Sequence, residues 1–330
     1  MQIAGMQNSQ IFNLNTHKSF KEHALKIFQF QAVKNRTYSE FINKLNIDSA
    51  SVTKIEQIPF LPIQFFKTHQ ILSSKEPIQQ VFLSSGTTDL IRSKHYITNL
   101  KLYRSSFTMG FQHFYGEIEN FTILALLPNY LEQEGSSLVY MVNELIEKSG
   151  SEESGFYLHN LNELAQKLIH LDQNGMKIML IGVSYALLDL IDLKRFDLKN
   201  TIIMETGGMK GQRKEMIKTE LHQVLCDGFG VERIHSEYGM TELLSQAYSL
   251  GKGIFKAPPW MRILIRDTED ALNTLPQGKT GGLNIIDLAN INSCSFIATQ
   301  DLGKTYFDGT FEVLGRFDNS DIRGCNLMIQ

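Results

Sequence analysis

The sequence predicts an α/β fold in which parallel sheet layers are flanked by helices and followed by an antiparallel β subdomain. Two observations lead to this prediction. Between residues 121 and 226, apolar strand-like segments alternate with amphipathic segments of helical spacing, which is typical of a parallel sheet covered on both faces. After Trp260, short strand-like segments are separated by Gly, Asn, Asp and Lys, with no helical segment between them. That second pattern is typical of antiparallel strands.

The elements follow in order from local periodicity. Residues 1–75 form a helical N-terminal layer, in which residues 18–45 mix apolar and charged side chains at helical spacing before Pro59 and Pro62 interrupt the pattern. We expect strands at 121–128, 177–183 and 201–206, and helices at 137–148, 185–193 and from Lys210 to about Cys226. The β subdomain, residues 260–315, contains the segments MRILIRD, GGLNIIDL, SFIATQD and FEVLG.

Composition narrows the classes of function. The chain has 330 residues, of which 42% are hydrophobic, as is usual for a packed globular protein. Its net charge is −3 and its pI is about 6.3, so it lacks the basic character that nucleic-acid binding requires. We therefore expect no nucleic-acid partner, and a small anionic ligand remains compatible with the charge.

The lack of a recognisable targeting signal and the wide spacing of the cysteines lead us to expect a cytoplasmic protein. The first 15 residues lack the basic start and apolar core of a signal peptide. The longest charge-free apolar stretch, Ile178 to Leu188, is shorter than the roughly 20 residues that span a bilayer. Cys226, Cys294 and Cys325 lie far apart, so we expect free thiols rather than disulfides or a metal site.

Three segments look like nucleotide-binding motifs but lack required residues. Gly278-Lys279-Thr280 and Gly303-Lys304-Thr305 resemble the end of a P-loop, yet Asn273 and Ala298 stand where its first glycine belongs. The segment 228–230, Gly-Phe-Gly, follows a helix rather than a strand, which favours a helix C-cap over a dinucleotide site.

Ser184 lies in the sequence setting of a hydrolase nucleophile. The segment Gly182-Val183-Ser184-Tyr185-Ala186 follows a predicted strand and opens a predicted helix, although Ala186 replaces the last glycine of the elbow motif. Serine is also a preferred N-cap residue. We expect Ser184 to be a helix cap, with a serine hydrolase as the alternative.

A hydroxyl-rich loop follows the apolar segment VFL at 81–83. It consists of Ser84, Ser85, Gly86, Thr87 and Thr88. Small side chains let backbone N–H groups point at a ligand, and hydroxyls add donors, a combination that suits a polyphosphate. A Ser/Thr/Gly cluster is also common in ordinary turns, so the loop alone leaves both interpretations open.

Motifs later in the sequence favour the phosphate-binding interpretation of this loop. The loop resembles the phosphate loop of the adenylate-forming enzymes, which include acyl- and aryl-CoA ligases, adenylation domains and luciferase. Tyr238-Gly239-Met240-Thr241-Glu242 is similar to their YGxTE signature, Asp301 resembles their ribose-binding aspartate, and Gly315-Arg316-Phe317-Asp318 resembles their GRxD hinge. All four motifs occur in the order found in that superfamily.

Within the superfamily, the sequence looks closest to the acyl-protein synthetase (LuxE) family. The likeness rests on ETGGMKGQRKE at 205–215, GVSY at 182–185 and the tail NSDIRGCN at 319–326. It implies an adenylate-forming large domain at 1–315, a hinge and C-terminal tail at 316–330, and no small C-terminal lid domain with its catalytic lysine. It also implies activation of a fatty acid as its acyl adenylate and transfer to a cysteine near the C-terminus.

The resemblance assigns roles to individual residues. Glu242 would hold Mg²⁺, Thr241 would lie at the α-phosphate, and Arg316 would assist catalysis in the absence of the lid lysine. The residues implied in ATP binding are Ser84, Ser85, Gly86, Thr87, Thr88, Gly207, Gly208, Tyr238, Gly239 and Asp301. Each also has a purely structural explanation: Glu242 as an acid in a first helical turn, Asp301 as a turn residue, and Tyr238 as a packed aromatic.

Cys325 would carry the acyl thioester. Arg323 and Gly324 precede it, and nearby positive charge favours the thiolate that acyl transfer requires. The alternative is a small buried hydrophobe in the segment CNLMI. Cys226 and Cys294 are expected to be structural.

The sequence therefore predicts an ATP- and Mg²⁺-dependent acid–thiol ligase that passes an acyl group to an acceptor protein such as a reductase. Two alternatives remain open beside it. One is direct transfer from acyl-AMP to a small acceptor, and the other is a non-catalytic nucleotide-binding subunit.

Overall fold

The computed structural model describes residues 8–14, 16–85, 91–128, 135–207, 213 and 216–316. The chain divides into two compact units. Unit 1 comprises residues 1–106, 241–245 and 256–330, and unit 2 comprises residues 107–240 and 246–255. The short segment 241–245 therefore belongs to a different unit from the residues on either side of it.

The N-terminal part of unit 1 combines helices with short strands. Its elements are α1 (Asn8–Phe12), α2 (His17–Lys34), α3 (Arg36–Lys44), β1 (Leu61–Pro62), α4 (Phe65–Thr68), β2 (Gln80–Leu83), β3 (Lys94–Ile97) and the start of α5 (Leu100–Tyr115). Thr16 caps α2, because its side chain accepts a hydrogen bond from the Ser19 backbone N–H. β2 and β3 form an antiparallel hairpin in which Leu83 faces Lys94.

Unit 2 contains the predicted parallel sheet. Its elements are the rest of α5, β4 (Thr122–Leu126), α6 (Ser137–Ser149), β5 (Gly155–Phe156), α7 (Leu161–Gln173), β6 (Ile178–Gly182), α8 (Ser184–Leu193), β7 (Thr201–Glu205), α9 (Lys218–Phe229), β8 (His235–Tyr238), β9 (Ala247–Ser249) and the first two residues of β10 (Ile254–Lys256). The parallel strands lie in the order β5-β4-β6-β7-β8, and β9 pairs antiparallel to β8. Every residue of β4 and β6 is buried, as expected for strands covered on both faces.

The last part of unit 1 is the predicted antiparallel sheet. Its strands are β11 (Met261–Arg266), β12 (Thr274–Leu275), β13 (Thr280–Asp287), β14 (Phe296–Thr305) and β15 (Phe311–Arg316), with a single-turn helix at Leu288–Asn290. They pair antiparallel in the order β12-β11-β13-β14-β15, and β1 adds in parallel to β14. An aromatic cluster joins this sheet to the N-terminal helices, because the rings of Phe28 and Tyr38 lie 6.0 and 6.2 Å from that of Phe296.

Two local predictions were wrong. The helix expected from Lys210 begins at Lys218, and Met216 and Ile217 precede it in non-helical conformation. Ser184 is the first residue of α8, and Val183 takes the N-cap position instead. The C-cap predicted for segment 228–230 is confirmed, because Gly230 ends α9 with a φ of 68° that a side chain would disfavour.

None of the helices in the described residues has the length and apolar character needed to cross a membrane. The cytoplasmic location stays a prediction.

Candidate functional site

The base of the hydroxyl-rich loop is closed by two serines at the end of the β2–β3 hairpin. The Ser84 backbone N–H donates to the Ser93 carbonyl at 3.1 Å, and the Ser93 N–H donates to Ser84 Oγ at 3.0 Å. Ser85 is exposed beside this closure. Gly86, Thr87 and Thr88 lie outside the described residues, so their assigned role at the phosphates stays a prediction.

Glu242 lies at the base of the same loop. It is 5% exposed and occupies a turn rather than a helix, which excludes the explanation that it is a first-turn helical acid. Burial raises the pKa of Glu242, and a hydrogen bond from the Ser93 side chain and the charges of Arg316 and Lys67 partly offset that rise. Its ionised form would therefore be stabilised by an additional nearby cation.

Asp301 and Arg316 face each other on adjacent strands. They are register partners of β14 and β15, and Arg316 Nε lies 3.4 Å from Asp301 Oδ1. Asp301 is 8% exposed and lies inside a strand, not in a turn. Arg316 thus acts electrostatically on both Asp301 and Glu242. Unit 1 alone brings together the loop base, the glutamate of the YGxTE-like motif and the aspartate of the β subdomain.

The residues of unit 1 suit a metal that is shared with a nucleotide. Within the described ranges, no group of three or more His, Cys, Asp or Glu side chains is arranged to hold a metal ion. Mg²⁺, however, is commonly held by one or two carboxylates together with substrate phosphates. The buried carboxylate of Glu242, with its raised pKa, fits that arrangement.

In unit 2, a buried carboxylate shapes the turn that contains Gly207. Glu205 is the last residue of β7 and is 1% exposed. Its Oε2 accepts a hydrogen bond from the Gly207 N–H at 2.7 Å, and its Oε1 accepts one from Lys218 Nζ at 2.7 Å. Gly207 has a φ of 76°, a conformation that glycine adopts without strain. Gly208 lies outside the described residues.

The ionised state of Glu205 is held by partners on α9. Burial opposes ionisation, but the hydrogen bond from His222 and the charge of Lys218 outweigh it and lower the pKa of Glu205 to about 2. Sequence reasoning missed Glu205 as a positioning group. The signal was a charged residue at the end of a mostly apolar strand, two positions before Gly207.

The next parallel strand, β8, ends at Tyr238, and Gly239 follows it. The Tyr238 ring packs edge-on against Phe255, with centroids 5.8 Å apart. A side chain at position 239 would lie 2.4 Å from Glu237 Oε1, so Gly239 allows the Glu237 carboxyl to fold over the backbone. Burial and the Glu205 charge raise the pKa of Glu237 to about 8, while Lys218 acts in the opposite direction. Glu237 was not singled out from the sequence.

The hydrolase alternative has no geometric support among the described residues. Ser184 is 2% exposed, and its Oγ lies 3.5 Å from Glu205 Oε2 rather than next to a histidine. His222 Nε2 instead lies 3.3 Å from Ser236 Oγ. A serine nucleophile needs a base within reach of its hydroxyl, so this arrangement does not activate Ser184.

Two of the three cysteines lie in the described part of the chain. Cys294 is fully buried, and burial raises its pKa to about 12, which fits the structural role expected for it. Burial and the neighbouring Asp227 charge also raise the pKa of Cys226. Cys325 lies outside the described residues, so its catalytic role stays a prediction.

The fold defines the class of protein. A crystal structure of an open conformation of 2-hydroxyisobutyryl-CoA ligase in complex with 2-HIB-AMP and CoA matches with a TM-score of 0.66 and 11% identity, over 92% of this chain and 70% of that chain. ATP-bound MatB from Rhodopseudomonas palustris matches with a TM-score of 0.55 and 15% identity, over 74% of this chain. The match covers 49% of that MatB chain, about half its length. The protein therefore has the fold of the adenylate-forming enzymes, as predicted.

A family model narrows this class. The model described as "Acyl-protein synthetase, LuxE" matches residues 5–330. The chain belongs to the acyl-protein synthetase (LuxE) family, which confirms the resemblance seen in the sequence. Among curated proteins, no sequence matches the chain.

Proposed function

We propose that the protein activates a carboxylic acid with ATP as its acyl adenylate and then carries the acyl group as a thioester on Cys325. The observation that carries the first step is the buried Glu242, whose raised pKa favours a cation beside it and which lies at the base of the hydroxyl-rich loop. Membership of the acyl-protein synthetase family supports the second step.

We assign the nucleotide to the residues that match the superfamily's motifs. These are Ser84, Ser85, Gly86, Thr87, Thr88, Gly207, Gly208, Tyr238, Gly239 and Asp301. The loop hydroxyls and N–H groups bind the outer phosphates, Asp301 accepts hydrogen bonds from the ribose, and Tyr238 stacks on adenine. Glu242 would hold Mg²⁺, and the bound metal would neutralise phosphate charge during the displacement. Thr241 lies at the α-phosphate, and Arg316 places a positive charge beside it.

Two displacements follow. A carboxylate oxygen of the substrate attacks the α-phosphorus of ATP, a new P–O bond forms, and pyrophosphate leaves with the electrons of the broken bond. The Cys325 thiolate then attacks the acyl carbonyl, a C–S bond forms, and AMP leaves. A reduced thiol and a supply of ATP are both available in the cytoplasm, where we place the reaction. An acyl-acceptor protein such as a reductase would take up the acyl group.

Pyrophosphate exchange and intact mass test the two steps separately. The wild type is incubated with Mg·ATP and a panel of carboxylic acids of increasing chain length. We expect acid-dependent exchange between ATP and labelled pyrophosphate, and an acyl mass adduct. Cys325→Ser should keep exchange and lose the adduct, whereas the matched control Cys226→Ser should keep both. Glu242→Gln should lower exchange by roughly 100-fold, as loss of a charge-stabilising group does elsewhere, while Glu312→Gln should change it little.

Each opposite result has a definite meaning. A wild type that binds ATP without exchange for any acid would overturn acid activation and indicate a non-catalytic nucleotide-binding subunit. An adduct of equal size on Cys325→Ser would overturn the thioester assignment. Exchange with no adduct, together with AMP release only when a small acceptor is added, would indicate a ligase for that acceptor instead.

A further inference from the structure

Two consecutive backbone carbonyls in the segment 241–245 are held by buried side chains from distant parts of unit 1. His95 Nδ1 lies 2.8 Å from the Thr241 carbonyl oxygen, and Asn290 Nδ2 donates to the Glu242 carbonyl at 2.7 Å. The two side chains also contact each other, with His95 Nε2 3.1 Å from Asn290 Oδ1. His95 is 0% exposed and Asn290 is 1% exposed. The two side chains therefore lie together in one buried cluster, and each holds one of the two carbonyls.

The imidazole is fixed in orientation by its surroundings. The Phe66 ring packs edge-on against it, with centroids 5.7 Å apart and planes at 88°. Burial lowers the pKa of His95 to about 4, so the neutral ring carries one N–H. Because a carbonyl oxygen can only accept, that proton lies on Nδ1 and is donated to the Thr241 carbonyl. Nε2 is then unprotonated, so its 3.1 Å contact with Asn290 Oδ1 is not a hydrogen bond.

A second anchor holds the other end of the segment. Asp287 accepts hydrogen bonds from the backbone N–H groups of Leu244 and Ser245 at 2.8 and 2.9 Å. Trp260, the single tryptophan of the chain, donates from Nε1 to Ser245 Oγ at 3.0 Å. Glu242 therefore lies between two fixed points, so rotation of its backbone is restricted from both sides. Buried polar groups of this kind are held tightly because an unpaired member is costly.

We propose that His95 and Asn290 are positioning residues that fix the carbonyls of Thr241 and Glu242 and thereby aim the Glu242 carboxylate at the metal–nucleotide complex. This inference rests on the proposed function of Glu242. Neither residue needs to touch substrate. Each acts through the backbone of the segment, because together they hold the two peptide groups on either side of the Glu242 Cα, from which the side chain extends.

The experiment compares His95→Leu, His95→Gln and Asn290→Ala with a matched control, Asn35→Ala. Asn35 is also a fully buried amide of unit 1, and its Nδ2 donates to the Ser293 carbonyl at 3.0 Å. The first readout, on ligand-free protein, is hydrogen exchange of the Leu244 and Ser245 amides together with Trp260 emission. The second is affinity for Mn·ATP, measured by quenching of Trp260, and the third is the kcat and KM of pyrophosphate exchange.

We expect His95→Leu and Asn290→Ala to speed amide exchange in the segment, to weaken Mn·ATP binding by about 10-fold, the equivalent of losing one well-formed hydrogen bond, and to lower kcat. His95→Gln restores an N–H donor and should recover much of the loss. Asn35→Ala should lower thermal stability with neither effect.

Two results would overturn the inference alone: amide exchange in the segment unchanged by His95→Leu, or Mn·ATP affinity in that variant equal to that of Asn35→Ala. A wild type that binds no nucleotide would overturn the proposed function, and the inference with it.

Discussion

The hydrogen bonds of Asp287 allow us to predict how much stability the protein loses when this residue is replaced. It is fully buried on unit 1 and accepts four hydrogen bonds: at Oδ2 from the N–H groups of Leu244 and Ser245, and at Oδ1 from Ser245 Oγ at 2.6 Å and the Ala289 N–H at 3.1 Å. In Asp287→Asn, the amide oxygen can replace one carboxylate oxygen, and the NH₂ group then faces donors. At least one buried backbone N–H loses its acceptor.

The expected loss is about 3 kcal/mol. An unsatisfied buried N–H lowers the free energy of unfolding by roughly 1–3 kcal/mol. The retained bonds weaken by about 1 kcal/mol because their acceptor is no longer charged. Part of this is offset, since burial raises the pKa of Asp287 and a neutral group is easier to bury. For a folded unit of the size of unit 1, the midpoint of thermal unfolding should fall by roughly 5–10 °C.

Calorimetry and urea unfolding at pH 7 measure this loss, with Asp308→Asn as the matched control. Asp308 also accepts from a backbone N–H and a hydroxyl, both of Thr310, but it lies in an exposed turn of the same unit. The control should unfold close to the wild-type temperature. An Asp287→Asn protein that unfolds within 1–2 °C of the control would refute the reasoning that the four bonds hold the segment.

Two further predictions concern the pH dependence of unit 2. Because the folded pKa of Glu205 is about 2 instead of 4.5, its ionisation stabilises the fold above pH 4.5 and this stabilisation is lost as pH falls toward 2. The difference in pKa corresponds to about 3 kcal/mol. Glu205→Gln should therefore unfold at a lower urea concentration than the wild type at pH 6, and the gap should narrow at pH 3. A variant whose urea midpoint equals that of the wild type at both pH values would contradict this prediction. For Glu237, the folded pKa of about 8 means that the wild type loses stability as pH rises from 4.5 to 8. The free energy of unfolding of Glu237→Gln should therefore rise relative to that of the wild type as pH rises through that range. A difference between variant and wild type that is the same at pH 5 and pH 8.5 would count against the assignment.

Local residue patterns were enough to predict many of the elements, in the right order and of the right type. Strands β4, β6 and β7 are short apolar runs, α6 and α8 have helical periodicity, and both patterns arise from neighbours within a few residues of one another. The motifs at 84–88, 238–242, 301 and 315–318 are likewise local strings, and they sufficed to predict the superfamily. The strings at 182–185, 205–215 and 319–326 sufficed to predict the family.

The position at which α9 begins is an example of a feature that the local sequence pattern did not predict. The segment before Lys218 has helical spacing, yet the Arg213 side chain forms ion pairs with Asp189 and Asp192 of α8. Those partners are more than 20 residues away, so helical spacing in the sequence gives no information about them. Helix propensity is a weak guide to where a helix starts, because the rest of the fold also acts on the chain, and the helix begins eight residues later than predicted.

The candidate site was likewise completed only by tertiary structure. The likeness pointed to Glu242, but Ser93 beside it and His95 and Asn290 behind its backbone carry no motif of their own. His95 is 146 residues from Thr241 along the chain. Burial is what gives these contacts their strength, because a polar group removed from water must find a partner in the protein. Which residues are buried together depends on the packing of the whole chain, whereas the motifs depend only on neighbouring residues.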